Sequence, residues 1–424
     1  MRAVPIGRSA AGALMRTALF VLAVALIAPG CNRRHCVPGE VAARKYVDVS
    51  CGAEAHAPVA PSRLREVEAE FYRRTAATAP AARPYQFLAL SGGGMYGAFG
   101  VGVLTGWTES GARPEFDAVT GISTGALMAT YAFLGPRYDG TLYEAMVGVD
   151  RNDLLGIRFR PGPLVTESVF HNRPIRRMLD RYVTAELLAE VAAAHAAGRR
   201  LYVGTTNLDS RKLIIWDMGA IASRGTPESV ELYRTILLAS ASVPVAFPPV
   251  RIPVEVDGHC YEELHVDGGA SDEVIFRPFM VADLNRANGL SGAVAPAGSV
   301  LYVVNNGKLY ADPSCVRPTI FALLTATSSS VLYGKSRDEL FRIYLNCLET
   351  GVLFRSTEIP RDVPVGSAGA LGVDDESQRQ FFRLGVEAGH LPGQSPGWRD
   401  LPAGTDPTEQ TMPRTGTRFL TEPR

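Results

Sequence analysis

Two glycine-rich stretches hold the side chains best placed to do chemistry. The first is Ser91-Gly92-Gly93-Gly94-Met95-Tyr96-Gly97, and the second is Gly121-Ile122-Ser123-Thr124-Gly125. Each follows an apolar, strand-like run and opens a helix-like one. In the second, Gly121 and Gly125 permit the sharp strand-to-helix turn that lifts the Ser123 hydroxyl out of a sheet edge. The helix starting at Thr124 then points its positive end at any negative charge that develops there. In the first, Gly92, Gly93 and Gly94 present backbone N–H groups unencumbered by Cβ atoms, as an oxyanion hole requires. In this order the two stretches point to acyl transfer through a serine.

Gly92, Gly94 and Gly97 also satisfy G-x-G-x-x-G, the dinucleotide fingerprint. That chemistry needs an acid at the end of the second strand to hold a ribose. Here the second strand ends in Ile122-Ser123, and its one acid, Asp117, stands at its start. A serine nucleophile needs a base. Asp267, in His265-Val266-Asp267-Gly268-Gly269, follows an apolar stretch and precedes two glycines, so its carboxylate sits on a turn at a strand end. An Asp-Gly turn is also a common structural device. A Ser–Asp–His triad would have to use His390, the only histidine after Asp267, at the edge of a tail poor in apolar residues. His265 reads as a structural neighbour of Asp267, and the other histidines lack motif context.

These residues need a scaffold. Gln86-Phe87-Leu88-Ala89-Leu90 reads as a buried strand, 97–108 as a helix, 117–122 as a second strand and 124–133 as a second helix. That alternation predicts an α/β fold with a parallel sheet and helices on its faces. Further strands are expected at 201–206, 212–217 and 300–305, and helices at 228–240 and 375–388. The apolar spacing over 319–349 suggests two long helices. The segment 153–165 mixes apolar residues with Arg158 and Arg160 and is read as a loop packed on the core rather than a membrane-facing lid. After His390, proline, glycine and threonine predict a disordered tail over 391–424.

The chain of 424 residues carries 43 basic and 43 acidic residues, a balance with no basic run that would track nucleic acid. Residues 1–30 combine Arg2, Arg8 and Arg16 with a short apolar run from Thr17 to Ala28. Small residues then lead to Cys31. This resembles a bacterial lipoprotein signal, with Cys31 as the lipidated first residue of an exported, membrane-anchored chain, although Ala28 and Pro29 depart from the usual pattern. Without lipidation the chain would be secreted. Residues 31–84 form a tether and leader, with a short helix over 64–74, and 85–390 form the main domain. No cysteine pair has C-x-x-C spacing and no histidine stands beside one at ligand spacing, so neither metal nor cofactor is expected. Cys36 with Cys51 is the most plausible local bridge.

The motifs together resemble the patatin-like phospholipases, a family of lipid acyl hydrolases with a serine–aspartate dyad. Gly92-Gly93-Gly94-Met95-Tyr96-Gly97 is similar to the family's oxyanion block and Gly121 to Gly125 to its nucleophile elbow. Asp267-Gly268-Gly269 is similar to its D-G-G block, and the segment from Ala239 to Pro249 to the one that joins them. The resemblance implies a patatin-like three-layer sandwich, with a mainly parallel central sheet and helices on both faces. It implies Ser123 as nucleophile, Asp267 as its direct base, and a lipid or other acyl ester as substrate. Tyr96 stands where many members have lysine or arginine, which puts a preference for anionic head groups in question. An acyltransferase using the same acyl-enzyme, or a silent fold kept for binding, remain alternatives.

Overall fold

Gln86–Leu90 forms strand β1, and its alternate residues face opposite sides of the sheet. Leu88 and Leu90 enter one hydrophobic core, while Phe87 and Ala89 enter another. A strand buried on both faces reads as the continuous apolar run seen here, because neither face meets water. The computed structural model describes residues 83–148, 156–157, 168–311, 316, 318–363, 374–390 and 398–402. The expected signal, Cys31, the Cys36–Cys51 pair and the 64–74 helix lie outside the described residues, as does most of the 153–165 segment. Of the latter, 156–157 form a two-residue strand, β3, paired with β4 (Phe170–His171).

The central sheet joins β1 to β2 (Ala118–Ile122), β5 (Arg200–Asn207), β6 (Lys212–Asp217), β7 (Val250–Val256), β8 (His259–Asp267), β9 (Val300–Asn305) and β10 (Leu353–Glu358). Its order is β10-β9-β1-β2-β5-β8-β7, with β6 also paired to β5. The five strands from β10 to β5 run parallel. Strands β6, β8 and β7 add antiparallel pairs. The expected α/β sandwich with a mainly parallel sheet is therefore what the chain forms.

One face carries α1 (Gly97–Glu109), α2 (Thr124–Leu134), α3 (Asp139–Met146), α4 (Arg173–Tyr182), α5 (Ala185–Ala196), α6 (Met218–Ala222), α7 (Pro227–Ser240) and α10 (Asp375–His390). The other carries α8 (Pro278–Ala287) and the second half of α9 (Ile320–Thr350). Helix α9 is one unbroken helix rather than the two expected. It has no proline, a single interior glycine (Gly334), an N-cap at Thr319 whose hydroxyl accepts from the Ala322 N–H at 3.4 Å, and a left-handed stop at Gly351. Among the described residues no helix is long and apolar enough to cross a membrane.

Three segments depart from the sequence expectation. Strand β7 carries Pro253, which is compatible with its place at the sheet edge but hides it from a strand search. Strand β10 alternates buried and half-buried residues with little apolar content. Trp398, in the expected disordered tail, is buried and packs its ring on Trp107 and Tyr302, while Arg399 bridges to Ser356. The described cysteines Cys260 and Cys347 are both free.

Candidate active site

Strand β2 ends in Ser123, which stands at φ 55° and ψ −126° as the N-cap of α2. A non-glycine residue held there stores backbone strain, so surrounding contacts must enforce it. The Ser123 N–H donates to the Ser240 hydroxyl at 3.0 Å, and Ser240 donates to the Gly204 carbonyl at 2.7 Å. Gly125 has no room for a side chain, since a Cβ there would lie 2.3 Å from the Leu90 carbonyl oxygen. A Cβ at Gly121 would lie 2.5 Å from the carbonyl oxygen of Gly125. The glycines flanking Ser123 thus serve the close crossing of helix and strand.

The loop after β1 lies against this turn. Gly94 accepts a hydrogen bond from the Thr124 hydroxyl at 2.9 Å. Gly93 stands at φ 156°, and a Cβ there would lie 1.8 Å from the Asn306 carbonyl oxygen, so only glycine fits. Asn306 clamps the loop from behind. Its N–H donates to the Ser91 hydroxyl at 2.7 Å and its side-chain amide to the Ser91 carbonyl at 2.8 Å. Of the three N–H groups expected to face an oxyanion, one is already bonded. The Gly92 N–H is already engaged with the Glu273 carbonyl at 3.3 Å, whereas those of Gly93 and Gly94 form no hydrogen bond among the described residues. Gly92 instead provides clearance, since a Cβ there would lie 3.1 Å from that of Ser123.

Asp267 ends β8, where antiparallel pairing sets it opposite Thr205. Its N–H donates to the Ser242 carbonyl at 2.9 Å, so the chain just after α7 holds the aspartate while Ser240 holds the serine turn. Oδ1 accepts the Gly269 N–H at 2.7 Å. Oδ2 is buried and has no hydrogen bond of regular geometry. Burial pushes the carboxyl up to about 7. The neighbouring Ser123 hydroxyl, the Gly269 N–H and the Lys335 ammonium pull the other way, and Glu273 adds to the rise. Gly268 is needed for close approach, because its Cβ would lie 2.7 Å from the Gly204 carbonyl oxygen. The structure thus gathers Ser123, Asp267, Gly93 and Gly94 at the C-terminal edge of the parallel strands, where ligands bind in open α/β sheets, with Asp267 brought level with Thr205 by antiparallel β8.

The histidines stand apart from this arrangement. His390 ends α10 with its Nε2 3.0 Å from the Glu109 carboxylate and is 43% exposed. His265 is fully buried between the Thr205 hydroxyl at 2.9 Å and the Glu263 carboxylate at 3.3 Å. Asp117, the acid a dinucleotide reading would have used, pairs with Arg83 and accepts the Gln86 N–H at 2.8 Å. Sequence reasoning missed four residues that shape the site: Ser240, Asn306, Lys335 and Gln378. Lys335, on α9, donates to the Gly269 carbonyl at 3.0 Å. None of the four sits in a motif that names its role, although Ser240 lies in a segment the resemblance had marked.

A pocket of about 80 Å³ opens at Ser123. Its wall is almost wholly apolar, built from side chains such as Met95, Leu127, Met146, Ile175, Met178 and Phe247. Beside Ser123, the polar side chains in that wall are Thr124 and Gln378. Tyr96 does not take part, since it is buried edge-on against Phe381 at 5.3 Å between ring centres. The arrangement offers a strained serine, a buried proton acceptor, two free N–H groups and an apolar cleft.

Residues 88–280 match the family model described as Patatin-like phospholipase. Among solved structures, VipD from Legionella pneumophila aligns at 12% identity and a TM-score of 0.36, over 72% of this chain and 66% of that one. Human GIVD cytosolic phospholipase A2 aligns at 11% identity and 0.32, over 83% and 56%. The type III effector protein ExoU aligns at 15% identity and 0.17, over 76% and 55%. This chain therefore spans less than two thirds of each neighbour's length. No curated protein matches it significantly.

Proposed function

We propose that this chain is a serine acyl hydrolase of the lipase or phospholipase A type, cleaving lipid carboxylic esters through a Ser123–Asp267 dyad. The observation that carries the reading is the pairing of a strained serine with a buried carboxyl whose Oδ2 is left without a regular partner, at the end of an apolar pocket. The family match over 88–280 supports it.

In the proposed mechanism, Oδ2 of ionised Asp267 accepts the Ser123 proton as Oγ attacks the ester carbonyl. Burial makes this carboxylate a stronger base than a solvated one, which is what a direct serine–aspartate transfer requires. The carbonyl oxygen becomes an oxyanion that the Gly93 and Gly94 N–H groups bind. As the tetrahedral intermediate collapses, the bond to the leaving alkoxide breaks, and the proton on Asp267 passes to it. Water, deprotonated by Asp267, then attacks the acyl-enzyme. Collapse of the second intermediate frees the carboxylic acid and returns the proton to Ser123. The Met- and Leu-lined pocket holds the acyl chain.

A serine-directed alkyl phosphonate tests this reading. It should label the wild type at Ser123, and Ser123→Ala should lose both the label and ester turnover while melting at an unchanged temperature. Labelling at another serine would refute the assignment. The same reading extends to location. With lipid on Cys31 the domain would be held at the membrane that carries its substrate, and Cys31→Ser should move it to the soluble fraction. An unmodified mature N-terminus, or one starting elsewhere, rules the anchor out.

A further inference from the structure

Helix α10 lies outside the 88–280 span of the family match, yet it completes the pocket wall. Its seating is unusually close. A Cβ at Gly385 would lie 2.0 Å from the Phe99 carbonyl oxygen, and one at Gly389 would lie 2.2 Å from that of Val103. On the facing α1, a Cβ at Gly102 or Gly106 would lie 2.1 Å from the carbonyl oxygens of Phe382 and Val386. Backbones in such contact cannot slide without collision, so the first turns of α10 are fixed relative to the loop that carries Gly93 and Gly94.

From that rigid helix Gln378 projects into the pocket. It is 2% exposed, and its amide donates to the Met146 carbonyl at the end of α3 at 2.7 Å. A buried amide in an apolar wall is costly unless it is bonded, so this hydrogen bond fixes the side chain in place. Its side chain thereby forms part of the pocket wall next to Met146. The room beside it, about 80 Å³ of pocket, would hold roughly five to eight water molecules, a small space against a long acyl chain.

We propose that Gln378 is the residue that sets acyl-chain length, the bulk of its side chain acting as a stop which holds the pocket to short chains. The inference rests on the acyl-hydrolase reading and deepens it. Gln378 shapes the substrate site and takes no part in bond making.

The test is kcat/KM on p-nitrophenyl butanoate, octanoate, dodecanoate and hexadecanoate for the full chain and for Gln378→Ala, Gln378→Asn and Gln378→Met, with thermal melting of each. The wild type should favour the short esters. Gln378→Ala should raise the dodecanoate-to-butanoate ratio by about tenfold or more, since each methylene newly accommodated is worth roughly tenfold or more. Gln378→Asn should move the ratio the same way by less. Gln378→Met, which refills the volume without the amide, should keep the wild-type profile. An unchanged ratio in folded Gln378→Ala overturns the proposal. Equal shifts in Gln378→Ala and Gln378→Met also overturn it, because the side chain would then be bracing α3 against α10 rather than occupying space. If Gln378→Ala does not fold, the comparison of Asn with Met decides by the same criteria. A wild type with neither turnover nor phosphonate labelling at Ser123 defeats the acyl-hydrolase reading and this proposal with it. A labelled, active wild type whose profile Gln378 does not govern defeats this proposal alone.

Discussion

The main-chain N–H of Ser123 donates to the hydroxyl of Ser240, 117 residues later, at 3.0 Å. Ser240 in turn donates to Gly204, so one buried hydroxyl joins the serine turn to strand β5. Ser240→Ala leaves the Ser123 N–H buried without a partner, a loss of about 1–3 kcal/mol. The positive φ at Ser123 then loses one of the contacts that enforce it. Melting should fall by several degrees, and kcat on a short ester should drop roughly ten- to a hundredfold, as expected when a nucleophile is misplaced. Unchanged kcat in a folded Ser240→Ala protein would show that the turn is held by its glycines alone.

Burial holds Asp267 up to about 7, and the base role proposed for it requires the ionised form. Ester kcat/KM should therefore rise with pH through about 7 and level off above it. The stability argument has the opposite sign. A carboxyl raised from an ordinary 3.8 binds its proton more tightly in the folded state, so its contribution to stability is full below about pH 3.8 and is lost as pH rises towards 7. Asp267→Asn removes that penalty. It should be inactive, and above pH 7 it should be more stable than the wild type by up to about 2–4 kcal/mol. His390→Ala, which removes only an exposed contact with Glu109, should leave turnover and melting nearly unchanged. An active Asp267→Asn, or a folded but inactive His390→Ala, would overturn the dyad.

Local chemistry made part of this site legible in the sequence. Ser123 and Asp267 announce themselves because each sits between a strand-like run and glycines that only a tight turn needs. The sheet was legible where strands are buried on both faces, as at β1. It was not legible at β7 and β10, where an edge proline and a half-polar face break the pattern. Ser240, Asn306, Lys335 and Gln378 reach the site across separations of 66 to 232 residues, through one or two hydrogen bonds each with no local signature. The engagement of the Gly92 N–H with Glu273 is equally non-local, which is why three oxyanion donors were expected and two are free.

Asn306 holds the oxyanion loop by two hydrogen bonds to Ser91, at the main-chain N–H and the side-chain amide. Asn306→Ala deletes the second and leaves the buried Ser91 carbonyl with one donor fewer. We expect about 1–3 kcal/mol of lost stability by denaturant unfolding. If the displaced N–H groups bind the oxyanion as proposed, the loss in turnover should appear in kcat more than in KM. A rise in KM at constant kcat would mean that the loop binds substrate without serving the transition state.

Lys335 provides the sharpest check on how Asp267 is tuned. Four groups act on that carboxyl besides its burial: the Ser123 hydroxyl, the Gly269 N–H and the Lys335 ammonium lower it, and the buried Glu273 raises it. Glu273 is itself pushed up by burial and is hydrogen-bonded by Ser336 from α9. Lys335 is the only cation in this set, and it reaches the turn by donating to the Gly269 carbonyl at 3.0 Å. Lys335→Met keeps the stem and removes the charge. The Asp267 carboxylate then loses a favourable neighbour, its proton is held more tightly, and the acid limb of kcat/KM moves to higher pH. At pH 6 the variant should be modestly slower than the wild type, while above pH 9 the two should converge. Lys335→Arg keeps the positive charge and should restore the wild-type limb even if its fit at Gly269 is imperfect. A purely structural Lys335 would lower turnover equally at every pH, and that pattern, with the limb unmoved, would remove Lys335 from the electrostatics of the site.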